Sequence, residues 1–257
     1  MNKKVVFFDL DGTLLNKEKK LLESSKIAIK KLQENNILPV IATGRTPAKV
    51  QWVFDELNID SYVAINGQYV VYEGKEIHKE QLDTKFLHDI TQFTTSNKHA
   101  LAYVSLSDVK SSIENHPYIK NVYEPHHMPY PSFGPNHYHT NPIYQLLLFC
   151  QDPDQTLYQE RYGDKKFVRW HPFVLDVLPN GVSKATGITK FLEIAGIQKE
   201  NTYAFGDDIN DIEMFSLVGS TVAMRNAIPE LKRISDFVTS SNEEDGILNG
   251  LKTLQLI

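Results

Sequence analysis

The chain is poor in cysteine, in long apolar runs and in excess positive charge, and each shortage closes off a class of protein. Cys150 is the one cysteine in 257 residues, so no internal disulfide can form; its place after YQLLLF suits a small apolar residue on a buried strand. No stretch approaches 18 uncharged apolar residues, and the N-terminal apolar run breaks at Asp9, too early for a signal-peptide core. With 27 Lys and Arg against 32 Asp and Glu, a formal net charge of -5, no basic stripe offers itself to a nucleic-acid backbone. There is no internal repeat and no low-complexity tract. What these absences leave is a soluble, cytoplasmic protein with neither nucleic acid nor membrane as partner; the expected state is a monomer or weak dimer. Hydrophobic residues, at 41%, supply enough material for a sizeable core.

Short apolar runs alternate with helical patterns at both ends of the chain, as the βα units of a parallel sheet require. VVFF (5–8) predicts a strand, SSKIAIKKLQENN a helix with serine at its N-cap, and ILPVIAT and SYVAIN two more strands. Between those two, Val50, Val53, Phe54 and Leu57 make one apolar stripe on a helix opened by Thr46 and Pro47. Further on, Ile188, Phe191, Leu192 and Ala195 share a helix face, TYAFG, STVAM and DFVTS read as strands, and EEDGILNGLKTLQLI reads as a final amphipathic helix. The middle has a different rhythm. A helix carrying Phe86, Ile90 and Phe93 is followed by the strand ALAYVSL and by an irregular segment holding six of the twelve prolines, between Pro117 and Pro142. The strand YQLLLFC, a helix and the strands KKFVRWH and FVLDVLP come next. The expected architecture is α/β: a Rossmann-like parallel-sheet core built from residues 1–80 and 182–257, with residues 81–181 inserted as an α+β domain.

Chemistry gathers where strands end. In VVFFDLDGTLL, Asp9 and Asp11 stand two apart, so an extended chain would project both to one side at the carboxyl end of the first strand, where open α/β sheets bind ligands. Two like charges placed so repel unless a cation or a proton intervenes. Gly12 and Thr13 permit a tight departure whose backbone N–H groups can face an anion. VIATGR sets Thr43, Gly44 and Arg45 after the second strand, a hydroxyl and an amide suited to an oxyanion, or an ordinary N-cap. YAFGDDIND brings Asp207, Asp208, Asn210 and Asp211, oxygen ligands fit for a hard divalent cation, or acids favoured by a helix dipole. NGVSKATG starts a helix at Lys184, where ammonium and helix N-terminus together oppose a phosphate's charge. One rim of one sheet would collect all four.

In their order and residues, DLDGTLL, ATGR, the lysine of GVSKATG, and GDDIND resemble the four motifs of the haloacid dehalogenase-like superfamily. The insertion of roughly a hundred residues between the second and third motifs resembles the type IIB cap of its Cof-like phosphatases. NGQ at Asn66 to Gln68 departs from the NGA common in those relatives. The resemblance implies a Mg2+-dependent phosphatase acting on small phosphorylated metabolites such as sugar phosphates. Asp9 would attack phosphorus to give an aspartyl-phosphate, and Asp11 would serve as general acid and then base. Mg2+ would be held by Asp9, Asp207 and the backbone carbonyl of Asp11. The Leu10 amide, Thr43, the Gly44 amide, Lys184 and Asn210 would cradle the phosphate, and Asp211 would orient the metal shell or Lys184. Arg45 would reach the leaving group or make an ordinary ion pair.

Other features are expected to be bland. His126, His127, His137 and His139 match no standard metal-ligand spacing, and Trp52 and Trp170 read as packing residues. Three other functions share parts of the pattern: a phosphomutase or phosphotransferase with the same first step, a signalling receiver domain phosphorylated on Asp, and a noncatalytic metal or phosphate binder. Length, the insertion and the second acid at Asp11 argue against the receiver.

Overall fold

A computed structural model of the chain describes residues 3–126 and 129–257. In chain order the elements are β1 (Lys4–Phe8), α1 (Glu23–Glu34), β2 (Ile37–Ala42), α2 (Pro47–Leu57), β3 (Tyr62–Ala64), β4 (Tyr69–Tyr72) and β5 (Lys75–Lys79). These are followed by α3 (Thr84–Ser96), β6 (Ala100–Val104), β7 (Val109–Ser111), α4 (Pro117–Tyr123), β8 (Ser132–Phe133), β9 (Gln145–Phe149), α5 (Asp152–Arg161), β10 (Lys165–His171) and β11 (Val174–Pro179). The chain then runs through α6 (Lys184–Ala195), β12 (Thr202–Gly206), α7 (Ile212–Leu217), β13 (Ser220–Ala223), α8 (Pro229–Ile234), β14 (Phe237–Val238) and α9 (Gly246–Thr253). It divides into two compact units, one of residues up to Lys79 together with Val182–Ile257, the other Glu80–Gly181.

The first unit holds an eight-stranded sheet in the order β14-β13-β12-β1-β2-β3-β4-β5. Pairing is parallel from β14 to β3, and β4 and β5 extend the sheet as an antiparallel hairpin. Because helices cover both faces, β1 is apolar at successive positions and not alternating. Val5 and Phe7 enter a core with Ile188 and Phe191 of α6, while Val6 and Phe8 enter the opposite core with Ile29 of α1, Val53 of α2 and Leu251 of α9. From β1 the chain builds outward through β2 and β3 on one side, and it later returns to build β12, β13 and β14 on the other. The order therefore reverses at β1, and the carboxyl end of that strand is the switch point at which such sheets bind ligands.

The second unit is a six-stranded sheet, β10-β11-β9-β6-β7-β8, antiparallel except between β7 and β8. Helices α3 and α5 pack on it through Phe86, Ile90 and Tyr158, and α4 packs through Ile119 and Val122.

The structure departs from the sequence-based expectations in several places, each with a local cause. Helix α1 begins at Glu23 after an extended Leu22 with no side-chain cap, so Ser24 and Ser25 lie inside it; the bridge from Leu15 to Leu21 delivers the chain to the helix earlier than the serines. The β4–β5 hairpin turns on Glu73 and Gly74, both at positive φ, a weaker signal than Asn-Gly would have given. The Pro-rich stretch opens as helix α4, with Pro117 in the first turn, where its missing N–H costs nothing. Cys150 lies one residue beyond β9, fully buried, and burial pushes its thiol up to about 11. Neither tryptophan is a core residue. Trp52 is 40% exposed off the α2 stripe, and Trp170 is 50% exposed on the edge strand β10, its indole N–H donating to Asp176 at 2.8 Å.

Candidate active site

Register decides which residues meet at the switch point. Phe8 of β1 lies opposite Phe205 of β12 and Ile41 of β2, so the residues that follow these strands, Asp9, Asp207 and Thr43, emerge along one edge. The backbone there is fixed by Asp9 N–H donating to the Phe205 carbonyl (3.0 Å) and Thr43 N–H donating to that of Val63 (2.8 Å). Asp9 is 5% exposed and its Oδ1 accepts from Lys184 Nζ at 2.5 Å. Lys184, the first residue of α6 and fully buried, also donates to Asp211 Oδ1 at 2.7 Å. The other Asp211 oxygen accepts from the backbone N–H groups of Asp207 (2.9 Å) and Asp208 (3.1 Å), which folds the GDDIND loop back over the strand end. Thr13 Oγ1 donates to Asp207 Oδ1 at 2.7 Å. Gly12 makes this approach possible: its φ is +84°, and a Cβ there would collide with the Asp207 carboxylate.

Asp11 does not share this nest. The strand stops at Phe8, so the two-residue alternation lapses before Asp11, whose carboxylate is taken by other partners. Arg45 grips it with two bonds, Nε to Oδ2 at 2.6 Å and Nη2 to Oδ1 at 2.5 Å, and Lys19 adds Nζ to Oδ1 at 2.7 Å. Arg45 is thus in an ion pair. Half-burial works to raise the Asp11 carboxyl, and the hydrogen bonds and charges of Arg45 and Lys19 outweigh it, leaving it below the usual carboxylate range. Thr43 is buried, with its hydroxyl accepting from Arg45 N–H at 3.1 Å, and Gly44 is half-buried beside Asn66. Leu10 buries its side chain in the core beside the nest. Asn210 is exposed and donates from Nδ2 to Asn66 Oδ1 at 3.3 Å. In the second unit, His137 Nε2 meets Asp108 at 3.0 Å and the His139 ring lies against Tyr138, while His127 lies outside the described residues.

A family profile of haloacid dehalogenase-like hydrolases matches residues 6–251. The chain belongs to that family. This hydrolase is 38% identical over 257 residues to YkrA of Bacillus subtilis (strain 168), which carries the provisional name of a phosphatase, with 100% of both chains covered. It is 31% identical to YwtE of the same organism, a 5-amino-6-(5-phospho-D-ribitylamino)uracil phosphatase, with 95% of each chain covered. A solved structure described as a subclass IIB sugar phosphatase of the superfamily superposes with a TM-score of 0.81 at 26% identity, covering 99% of this hydrolase and 100% of the other chain.

Oxygen atoms of Asp9, Asp207 and Asp211 lie within 4.8 Å of one another, three carboxylates against the single ammonium of Lys184. Hard oxygen donors with uncompensated negative charge fit a divalent cation such as Mg2+. The same imbalance moves the proton affinities of these groups. Burial pushes Asp9 well above the ordinary carboxylate range; Lys184 opposes the rise, and Asp211 and Asp207 add to it. Burial would lower Lys184, but Asp9 and Asp211 reverse the sign and keep it an ammonium. Asp207 is pushed up to about 6, by burial first and by its acidic neighbours, against the Thr13 hydrogen bond.

A pH dependence follows for the metal-free protein. Because Asp207 binds its proton more tightly folded than unfolded, folding takes up a proton between the unfolded carboxylate range and pH 6, so its contribution to stability grows as pH falls through 6. Urea denaturation in EDTA at pH 7 and pH 5 should show the wild type gaining stability relative to Asp207→Asn on acidification. An equal response of the two proteins would contradict the assignment.

Three contacts at this site were not anticipated from the sequence: Thr13 on Asp207, Lys19 on Asp11, and Asn66 on Asn210. Thr13 was legible, since DGT follows the strand directly. Lys19 acts from a loop eight residues past its partner, where sequence spacing carries no information.

Proposed function

We propose that this haloacid dehalogenase-like phosphatase hydrolyses small phosphate monoesters, sugar phosphates or related metabolites, through an aspartyl-phosphate formed on Asp9 with Mg2+ as cofactor. Core residues 1–80 and 182–257 carry the chemistry and residues 81–181 form the cap. The observation that carries this reading is the buried Asp9 carboxylate, held by Lys184 beside Asp207 and Asp211 at the carboxyl end of the central strand.

Asp9 attacks phosphorus in line, its Oδ forming the new P–O bond while the ester oxygen leaves. Asp9, Asp207 and the Asp11 carbonyl would hold the cation, which when bound would supply positive charge between the nucleophile and the dianionic ester. Lys184, the Leu10 and Gly44 amides, the Thr43 hydroxyl and the Asn210 amide take the phosphoryl oxygens, and Asp211 orients Lys184. Asp11 protonates the departing alkoxide and then takes a proton from the water that opens the aspartyl-phosphate. Held by Arg45 and Lys19, Asp11 is ionised, the state needed for the second of these tasks. For the first it must let go of Arg45 and take up a proton from solvent, which it then delivers to the alkoxide; an incoming phosphate or leaving-group oxygen competes for the same guanidinium and frees it to do so.

A screen of phosphate release over sugar phosphates, sugar-alcohol phosphates, nucleotides, and flavin and pyridoxal phosphates tests the reading. Release from one or more esters is expected with Mg2+ present. It should fall to background in excess EDTA and return when Mg2+ is restored; hydrolysis that survives chelation would overturn the metal assignment. Phosphoryl transfer to an added sugar at the expense of free phosphate would identify a mutase or transferase sharing the first step.

A further inference from the structure

Residues 65–67 follow an unusual path. Ile65, Asn66 and Gly67 all have positive φ, at 50°, 50° and 94°. Glycine takes such a conformation freely and asparagine tolerates it, but for a β-branched residue it is strained and persists only where the surroundings enforce it. They do so here. Ile65 is fully buried, and its N–H donates to the Arg45 carbonyl at 3.2 Å. Asn66 N–H donates to the Thr43 carbonyl at 3.0 Å. Gly67 presses on the Ser183 carbonyl and on Gly187 so closely that a Cβ would collide. The turn therefore joins the Thr43–Gly44–Arg45 loop to the first turn of α6, which begins with Lys184.

What the strained turn delivers is the Asn66 carboxamide. A Cβ at Gly44 would lie 3.2 Å from both its Oδ1 and its Nδ2, so the absence of a side chain at Gly44 makes room for it. Its Oδ1 accepts from Asn210 Nδ2 at 3.3 Å. Asn210 stands on the 3-10 turn Ile209–Asp211 just before α7, beside Ile209, which is 70% exposed, and at this exposed position an unaided side chain would sample several rotamers. A carboxamide NH2 has two hydrogens in one plane, so engaging one fixes the direction of the other.

We propose that Asn66 is a positioning residue of the phosphate site: by accepting one hydrogen of the Asn210 amide it aims the second at a phosphoryl oxygen beside the Gly44 amide. The inference rests on the proposed phosphate cradle and adds to it the residue that orders its most exposed member. It also gives the strain at Ile65 a purpose, since an unstrained turn would carry the Asn66 side chain away from Gly44.

The test is a double-mutant cycle on orthophosphate binding, measured by calorimetry on the full chain in the presence of Mg2+, alongside KM and kcat on the best ester of the screen. Asn66→Gly keeps the left-handed backbone and removes only the side chain. It should weaken orthophosphate binding about three- to tenfold, as loss of one neutral hydrogen bond does, and raise KM in proportion. Asn66→Gly/Asn210→Ala should bind no more weakly than Asn210→Ala alone, to within about twofold. Asn66→Ala, which adds left-handed strain, should lower Tm further than Asn66→Gly while weakening phosphate equally, separating positioning from folding. Additive losses, or wild-type affinity in Asn66→Gly, overturn the proposal while leaving the phosphatase reading intact. A wild type that neither binds orthophosphate nor hydrolyses any ester overturns both.

Discussion

Asp9→Asn is expected to lower Mg2+-dependent turnover by about 10⁴-fold or more, the scale seen when a catalytic nucleophile is removed, while the fold survives unchanged. The chemical half of this expectation is simple. A carboxamide oxygen is a poor nucleophile, and neither Asp207 nor Asp211 can substitute, because Asp207 is held by Thr13 and Asp211 is fully buried with both oxygens engaged. The structural half follows from charge. Without metal, three carboxylates crowd one ammonium, and burial already pushes Asp9 toward its neutral form. Removing one negative charge relieves that repulsion, so in EDTA the Tm of Asp9→Asn should equal or exceed that of the wild type. Acid-quenched samples from a reaction with labelled ester should contain phosphate bound to the wild-type chain and none on the variant. A variant that keeps a tenth of normal turnover would remove Asp9 from the nucleophile's role.

How much of this could be read beforehand depended on whether the governing interaction was local. Apolar runs of four to six residues separated by 3.6-period stripes gave β1, β2, β3, β12, β13 and β14 and helices α1, α2, α6 and α9, because burial imposes those patterns directly, whereas the β4–β5 hairpin and the short helices α7 and α8 carried no such pattern. The residues after β1, β2 and β12 could be assigned to one edge because parallel register carries strand ends along together. Where the interaction was not local the sequence was silent. That Asp9 pairs with Lys184 and Asp11 with Arg45 is settled by the chain leaving the strand at Phe8, three residues short of Asp11, where alternation would need it still extended. The path of Ile65–Gly67 is set where Gly67 packs against Ser183 and Gly187, more than a hundred residues away, and nothing in NGQ announces it. In the second unit, prolines concealed α4, because proline in the first helical turn and proline in a loop look alike without the contacts of Ile119 and Val122.

Lys184→Met should be the most destabilising single change at the site, and its cost is one of charge, since Met nearly fills the same space. Lys184 is fully buried and is shared by Asp9 and Asp211, both almost inaccessible to water. Without it the two carboxylates face each other, with Asp207 close by, and no cation remains among them in metal-free buffer. Removing one partner of a buried ion pair typically costs about 3–5 kcal/mol, because the charge left behind is neither solvated nor compensated. The lysine's ammonium is stabilised in the folded protein, so its contribution is fully present below the unfolded lysine value and is lost only as pH rises through the higher folded one; titration of the lysine itself leaves the effect intact from pH 5 to 9. The carboxylates behave in the opposite way. Acidification protonates Asp9 and Asp207, both held above the ordinary carboxylate range, and should shrink the difference between Lys184→Met and wild type, and adding Asp9→Asn to Lys184→Met should restore a large part of the lost stability. Urea midpoints for the four proteins of this cycle, taken in EDTA at pH 7 and pH 5, decide the matter. If Lys184→Met unfolds at the wild-type midpoint, or if Asp9→Asn adds its own loss on top, the cluster does not carry the charge imbalance on which both metal binding and nucleophilic attack depend.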